Sequence, residues 1–431
     1  MVAIPTPDSQ SGLKALQAMR RERHVLAALE VFRAELGDVF RVQLPGFTPV
    51  VMAGPEAARF VLVSGREDLR WRNETDPVTA LLRRGVLVVD GEEHDDYRRI
   101  MSPSLHRRML NGYFEAMWRC TDRVIDAWPD GGVVDMLVEM RKIALLILME
   151  ALYSVDMGPD LRRMWEPILK SIEYISPGLW LIWRGAPRPG YARRIHELDE
   201  YLYRIIRARR AAGSGEDLLG ALIDSGLDDG RIRDQLLTML IAGHDTSTAN
   251  LSWALWLLGK HPESLAQVVQ EVDRVLGGDP PGPEQIVGLT YTGQAAQEAL
   301  RLYPPIHLGN RVAARDIEYG DYVIPAGERV IYSIYLTQRH PAHWENPAAF
   351  KPERFAPGVR HEPYTFLPFG GGPRNCIGGA FAQVEVKAVL ARILQRFSLE
   401  LLPRPAVHPY MGATLEPRPG VMMRVTRRQP L

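Results

Sequence analysis

A long region of helical periodicity, residues 92–276, limits the folds that are open to this chain of 431 residues. Within it, residues 140–152 and 191–210 carry apolar side chains at helical spacing over several turns. Short runs that are rich in β-branched residues and are interrupted by proline and glycine lie outside it, at residues 37–54 and 321–336. The pattern predicts a mainly α fold with small β-sheets, in the α+β class.

The length alone would allow about three domains of average size. However, the breaks that contain proline and glycine are short enough to be turns, and the chain shows neither an internal repeat nor a low-complexity tract. We therefore predict one large helical domain over residues 1–431, with a smaller β-rich part. This domain has a β-hairpin at about 37–54. At about 366–397 it has a loop and a last helix, which starts near Cys376.

Charge and cysteine content exclude several classes of protein. The 52 Lys and Arg balance 52 Asp and Glu, so no net charge draws the chain to nucleic acid. No uncharged stretch exceeds 14 residues, a membrane span needs about 18, and the N-terminus lacks the pattern of a secretory signal. Two cysteines are too few for a disulfide framework. We expect a soluble, cytoplasmic monomer without a transmembrane anchor or a nucleic-acid partner.

The apolar run at residues 179–183 lies between two breaks that are rich in proline and glycine. If it is exposed, it marks an entrance, a docking surface or a membrane contact. A buried helix end would have the same composition, so the sequence leaves both interpretations open.

A glycine-dense segment, residues 366–386, delivers Cys376 to the start of a helical run. The N-terminus of a helix stabilises a thiolate, because its unpaired N–H groups and its dipole are positive. The segment lets the backbone approach a bound group closely at Gly370, Gly371, Gly372 and Gly378. From these residues alone, Cys376 is either a ligand or a nucleophile. Cys120, in a helical pattern without glycine, is a packing cysteine.

The same segment resembles the haem-binding signature of the cytochrome P-450 family, F-G-x-G-x-R-x-C-x-G. Every fixed position matches, at Phe369, Gly370, Gly372, Arg374, Cys376 and Gly378. The resemblance implies the cytochrome P-450 fold and haem b, iron protoporphyrin IX, with Cys376 as the ligand of the iron. It also implies that Phe369, Gly370 and Gly378 contribute to cofactor binding.

Residues 242–247, AGHDTS, resemble the family's central oxygen-binding helix. The Thr246 hydroxyl can donate back to the Ala242 carbonyl, and Gly243 weakens the same turn, so the helix can open beside a ligand. The resemblance implies that Asp245 and Thr246 are catalytic and deliver protons to dioxygen through water. It also places Ala242 at the cofactor, whereas His244 receives no role.

A third match joins EALR, at residues 298–301, to KPERF, at residues 351–355. Glu298 and Arg301 share one helix face because they are three positions apart. By resemblance they form a buried ion-pair network with Arg354. The role of this network is structural.

A fourth match, GEEHDDYRR at residues 91–99, places His94 and Arg98 on one helix face. Haem carries two propionates, which need cationic donors. The resemblance implies that His94 and Arg98 hold one propionate, and that Arg311 and Arg374 hold the other.

Together these matches imply a monooxygenase that inserts one atom of dioxygen into a hydrophobic substrate, by hydroxylation or epoxidation. Electrons would come from NAD(P)H through a separate ferredoxin or flavodoxin with its reductase, since 55 residues after Cys376 leave no room for a fused redox domain. Two alternatives are a peroxygenase that uses hydrogen peroxide, which Asp245 and Thr246 argue against, and a haem-binding sensor or carrier without turnover.

The substrate class is read from segments that line the pocket in this family. They are mostly apolar here, so we expect a hydrophobic substrate. A terpenoid such as a carotenoid is our first choice and a fatty acid our second, while steroids and polyketides stay open. Candidate contacts are Leu82, Ala242, Ile306, His307 and Met411.

Overall fold

A computed structural model of the chain describes residues 2–178, 188–213, 215–280 and 282–429. The apolar run at residues 179–183 lies outside the described residues. Within the described part, no helix is both long enough and apolar enough to cross a membrane.

Helices make up most of the described chain, as the sequence predicts. They are α1 (Ser9–Glu22), α2 (Leu26–Leu36), α3 (Pro55–Arg59), α4 (Pro77–Leu82), α5 (Gly91–Met101), α6 (Arg107–Ile125), α7 (Met136–Tyr153), α8 (Leu161–Ile175), α9 (Tyr191–Ala212), α10 (Leu218–Asp224), α11 (Asp229–Lys260), α12 (Pro262–Leu276), α13 (Pro283–Gly288), α14 (Thr290–Leu302), α15 (Ile334–Thr337) and α16 (Gly379–Arg396).

The strands form small sheets, which also agrees with the predicted fold class. The strands are β1 (Val39–Arg41), β2 (Val50–Met52), β3 (Leu69–Arg70), β4 (Val133–Asp135), β5 (Leu308–Ala313), β6 (Ile317–Tyr319), β7 (Tyr322–Ile324), β8 (Arg329–Ser333), β9 (Phe397–Leu401), β10 (His408–Met411), β11 (Leu415–Arg418) and β12 (Met422–Arg427). One sheet has the order β1-β2-β8-β5-β3 and another β4-β12-β9, while β6-β7 and β10-β11 are antiparallel pairs.

Helix α11 lies in the core and is about 48 Å long at the usual rise of 1.5 Å per residue. It begins at a capping interaction, in which the side chain of Asp228 accepts from the backbone N–H of Arg231. It packs against α7, α9, α14 and α16. Because α7 is apolar on nearly all sides, it is buried along most of its length and fixes one flank of α11.

The end of the predicted extended run at residues 321–336 is helical. After β8, the side chain of Ser333 accepts from the backbone N–H of Leu336 at 3.2 Å and caps α15. The run was read as strand because it is rich in β-branched and aromatic residues, but a serine cap of this kind starts a helix instead.

Helix α16 begins three residues later than the sequence predicts. The backbone N–H of Cys376 donates to the oxygen of Phe369 at 2.8 Å, so Cys376 closes a loop instead of opening the helix. The first helical bond at this end is from Ala382 to Gly378. The helix ends at Arg396, because Phe397 begins β9.

A buried ion pair connects α14 to the loop that follows α15. Arg301 donates from Nε and Nη2 to the two carboxylate oxygens of Glu298, both at 2.7 Å, and neither side chain is exposed. Arg354 Nε lies 3.3 Å from Glu298 Oε1. Arg301 also donates to the backbone oxygens of Gln338 and Pro347, at 3.0 and 2.8 Å. The three residues that the sequence groups are therefore in contact.

Replacing Glu298 by alanine should lower the free energy of unfolding by about 3–5 kcal/mol, because Arg301 would stay buried without a counter-charge. Chemical denaturation measures the loss. The control is Glu400→Ala, which removes an exposed carboxylate 3.4 Å from Arg424 and should cost less than about 1 kcal/mol. Equal losses in the two variants would contradict a structural role for the buried pair.

Candidate active site

Cys376 presents its thiol in a recess formed by the loop before α16. The side chain is accessible to solvent, yet surrounding protein atoms desolvate it, and this raises the pKa of the thiol. Two groups act in the opposite direction and favour the thiolate, namely the backbone N–H of Gly378 and the charge of Arg98. An accessible sulfur with these neighbours can bind a metal centre that enters the recess.

Two glycines shape this loop in different ways. Gly372 has a φ of +64°, and a Cβ there would overlap the backbone oxygen of Leu62, so only glycine fits the position. Beside Gly378 there is open space, since a Cβ would meet nothing within 4 Å. The open side of Gly378 leaves room for a group bound at Cys376. Phe369 packs instead against Gly379.

Two arginines lie beside the cysteine loop. Arg98, on α5, donates to the backbone oxygen of Asn375 at 2.7 Å and to its side-chain oxygen at 3.0 Å. Arg374 donates from Nη1 to Asp90 Oδ1 at 3.1 Å. Of the four predicted propionate donors, these two are therefore next to the residue that would bind the iron.

Three neighbouring arginines and one carboxylate act on the pKa of Arg374. Burial lowers the pKa of Arg374 to about 10, with Arg311, Arg66 and Arg98 acting in the same direction and Asp90 in the opposite one. Arg311 is itself buried on β5. A group with two negative charges would relieve this excess of positive charge, so the residues present fit the propionates of haem.

His94 differs from the expectation that it supplies a cation. Its ring is buried, and Nδ1 lies 2.8 Å from Asp95 Oδ1. Burial lowers the pKa of His94, and the charge of Arg374 lowers it further. His94 is therefore a neutral hydrogen-bonding group near neutral pH, in contrast to Arg98.

Helix α11 is continuous through the predicted motif but has one accessible turn there, here called the open turn. From Ile232 to Leu255 all its residues are buried except Ala242, Gly243 and Thr246. The Thr246 hydroxyl donates to the Ala242 oxygen at 2.7 Å, which confirms the predicted back-bond. The helix thus presents one accessible turn to an internal space.

Asp245 does not face that space as a solvated acid. It is buried, and Arg141 Nη2 lies 3.0 Å from Oδ1 while the Thr414 hydroxyl donates to Oδ2 at 2.7 Å. Arg141 also donates to Glu416. Both carboxylate oxygens therefore have protein partners, and the water-linked pair with Thr246 stays a prediction.

These partners were missed in the sequence. The sequence does contain a signal for Arg141, because it is a charged residue within the apolar segment 140–152. A charge in a buried helix needs a partner. Thr414 and Glu416 give no such signal, because they lie near the C-terminus in a short strand region. Their contact with Asp245 and Arg141 depends on the tertiary fold.

A second acid beside the active-site helix was also missed. Glu385, on α16, accepts from the Ser247 hydroxyl at 2.6 Å, and burial raises the pKa of Glu385 to about 8. Ser247 directly follows Thr246, so this bond joins the helix after the cysteine loop to the open turn of α11. His244 is buried as well, and its Nδ1 contacts the Leu240 oxygen.

The candidate substrate contacts fall into two groups. Ile306 and Met411 are at least partly accessible, as is Ala242, while Leu82 and His307 are buried. Burial lowers the pKa of His307 to about 4, so the ring is neutral at physiological pH. A neutral imidazole among apolar residues agrees with a site for a hydrophobic ligand.

The difference in free energy of unfolding between Glu385→Gln and the natural protein should depend on pH. From pH 6 to pH 8 it should shift by about 2 kcal/mol in favour of the variant. The native carboxyl keeps its proton up to about pH 8, whereas the unfolded chain releases it near 4.5, so the natural protein loses stability as the pH rises. Glutamine has no such proton. Chemical denaturation at both pH values measures the change.

The matched control is Glu400→Gln, on a carboxylate that is 71% exposed. It should show no change in relative stability between the two pH values. A Glu385→Gln variant that behaves like this control would show that the buried carboxyl titrates normally.

Comparison with known proteins agrees with this geometry. The family model for cytochrome P-450 matches residues 11–424. Pentalenene oxygenase of Streptomyces avermitilis is 29% identical, over 96% of this chain and 95% of its own length. Cyclooctatin synthase of Streptomyces melanosporofaciens is 31% identical, over 95% of this chain and 90% of its own length.

A solved structure shows the same architecture. The retinoic acid bound cyanobacterial CYP120A1 superimposes with a TM-score of 0.86 at 25% sequence identity, over 99% of this chain and 100% of that chain. The family model and these relatives together show that the chain belongs to the cytochrome P-450 family of haem-binding monooxygenases.

Proposed function

We propose that this monooxygenase binds haem b through Cys376 and hydroxylates or epoxidises a terpenoid. The observation that carries the proposal is the Cys376 thiol, which is accessible and lies beside an excess of arginine charge. The helix that follows it, α16, is hydrogen-bonded to α11 next to the open turn. Cys376 lies three residues before α16, and Glu385, six residues into α16, bonds to Ser247 beside Thr246. The rise along α16 from Gly379 to Glu385 is about 9 Å.

The residues present assign distinct roles in holding the cofactor. Arg98, Arg311 and Arg374 would bind the propionates as cations, and His94 would assist as a neutral hydrogen-bonding group. The open side of Gly378 would admit the ring. When bound, a thiolate-ligated haem supplies the activation of dioxygen, since the thiolate donates electron density that favours O–O cleavage.

The protein residues supply protons and exclude water. The overall reaction consumes one dioxygen, two electrons and two protons, and places one oxygen atom in a C–H or C=C bond while the other leaves as water. The Thr246 hydroxyl, held by the Ala242 carbonyl, can orient a water in the open turn. Asp245 provides the neighbouring acid, once one of its oxygens is free of its protein partners.

The terpenoid assignment is supported by relatives and by the polarity of the site. Two relatives are named for pentalenene and cyclooctatin, and the solved neighbour binds retinoic acid, which is a long isoprenoid. The candidate contacts in this chain are apolar except for the neutral His307. A carotenoid-like terpenoid is our first choice and a fatty acid the second.

We further propose that the electrons come from NAD(P)H through a ferredoxin or flavodoxin and its reductase, with the enzyme in the cytoplasm as a monomer. A flavoprotein or iron–sulfur partner would deliver them one at a time. The surface behind the cysteine loop is the candidate docking face for this partner.

Turnover under isotopically labelled dioxygen tests the proposed function. With NAD(P)H, a surrogate ferredoxin and its reductase, a carotenoid or a smaller terpene should gain one labelled oxygen atom, which mass spectrometry detects. Product from hydrogen peroxide alone, with none from the reduced partners, would favour a peroxygenase. Ligand binding without product under either condition would favour a sensor or carrier.

Cys376→Ser should abolish the red-shifted Soret band that a thiolate-ligated haem shows when it is reduced and exposed to carbon monoxide, since serine supplies no thiolate. Cys120→Ser is the matched control. Cys120 is buried, its Sγ lies 3.1 Å from Glu150 Oε2, and burial raises its pKa to about 11, so this variant should keep the band. A Cys376→Ser protein with an unchanged band would rule out Cys376 as the ligand.

A further inference from the structure

The hairpin formed by β10 and β11 holds Asp245 through two separate groups. The Thr414 hydroxyl donates to Asp245 Oδ2 at 2.7 Å, and Arg141 bridges Asp245 Oδ1 to Glu416. Thr414 lies in the turn just before β11 and Glu416 lies on β11, and both side chains reach the same buried pair, Asp245 and Arg141. Each of these four side chains is more than nine-tenths buried.

Arg141 therefore divides one positive charge between two acids. Asp245 competes for it with Glu416, whose second oxygen lies 2.7 Å from Arg418 Nη2. In a buried site a guanidinium that moves towards one carboxylate leaves the other less well compensated. The position of Glu416 on the hairpin consequently affects how firmly Arg141 holds Asp245.

The turn of this hairpin is connected to the predicted substrate contacts. Ala413 donates to the Ser176 hydroxyl oxygen at 3.0 Å, and the N–H of Leu415 donates to the Pro305 oxygen at 2.9 Å. Met411 lies on β10 at the start of the turn, and Ile306, next to Pro305, is 40% exposed. A ligand that contacts Met411 or Ile306 would thus press on the segment that carries Thr414.

We infer that Thr414 and Arg141 are positioning residues for Asp245, and that the β10–β11 hairpin couples ligand contact at its turn to the proton-delivering acid. The inference rests on the proposed function, because it gives Asp245 a role in proton delivery. It adds the residues that set the position of the acid. A substrate that seats correctly on the turn would shift the Thr414 hydroxyl and free one oxygen of Asp245.

A double-mutant cycle with Thr414→Val and Asp245→Asn tests the inference by activity. Thr414→Val keeps the shape of the side chain and removes the hydroxyl, so it should lower the product formed per NAD(P)H at least fivefold. Thr414→Ser should restore most of it. In the Asp245→Asn background, Thr414→Val should change this ratio by less than twofold, because the acid that the hydroxyl positions is already absent. Independent, multiplying effects would overturn the inference.

Thr292→Val is the matched control for the loss of a buried hydroxyl. Thr292 also donates to a carboxylate, Glu271 Oε2 at 2.8 Å, and it is fully buried on α14. This variant should retain the product ratio of the natural enzyme. A fall equal to that of Thr414→Val would show that losing any buried threonine hydroxyl has this effect, and would contradict a specific role for Thr414.

Hydrogen–deuterium exchange of the haem-loaded protein provides a readout that needs no turnover. Asp245→Asn and Thr414→Val should each speed exchange in residues 408–418 at least threefold, and the double variant should exchange no faster than the quicker single one. Unchanged exchange in the single variants would overturn the inference even if the enzyme is active. If the natural protein forms no labelled product, the proposed function fails, while the exchange cycle still decides whether the hairpin and Asp245 are coupled.

Discussion

The burial of α11 along most of its length is the constraint on which the arrangement of this protein depends. A buried helix needs partners for most of the polar side chains that it carries. Arg233 pairs with Asp199 on α9, and Ser247 bonds to Glu385 on α16. Asp245 is held by Arg141 on α7. Each of these bonds ties a neighbouring element to α11, so the helix sets the positions of the elements around the open turn at residues 242–246.

The open turn and the cysteine loop are defined by different physical means. Glycine determines the loop, because Gly372 has a backbone conformation and a close neighbour that exclude other residues. The open turn of α11 is defined by solvent access, since Ala242 and Thr246 stay accessible in a helix that is buried along most of its length. The accessible thiol of the loop and the accessible hydroxyl of α11 are the two groups that we propose to face the cofactor.

Local patterns made part of this site predictable from the sequence. Thr246 bonds to Ala242, and Glu298 pairs with Arg301, because residues three or four apart on a helix are neighbours. The partners of Asp245 could not be found in this way, since Thr414 lies 169 positions away and only the tertiary fold brings it close. The sequence does not reveal the neutral state of His94, because its burial is a property of the fold. The start of α16 could be predicted only to within three residues, because the N–H of Cys376 closes the loop.

The central claim is that a thiolate-ligated haem in this recess acts on an apolar terpenoid. Optical titration of the ferric, haem-loaded protein against a carotenoid, a monoterpene, a fatty acid and a steroid tests it most directly, because displacement of water from the iron shifts the Soret band to the blue. The account predicts a saturable blue shift with a terpenoid, at lower concentration than with the fatty acid or the steroid. A shift only with the fatty acid or the steroid, or none with any of the four, would contradict it.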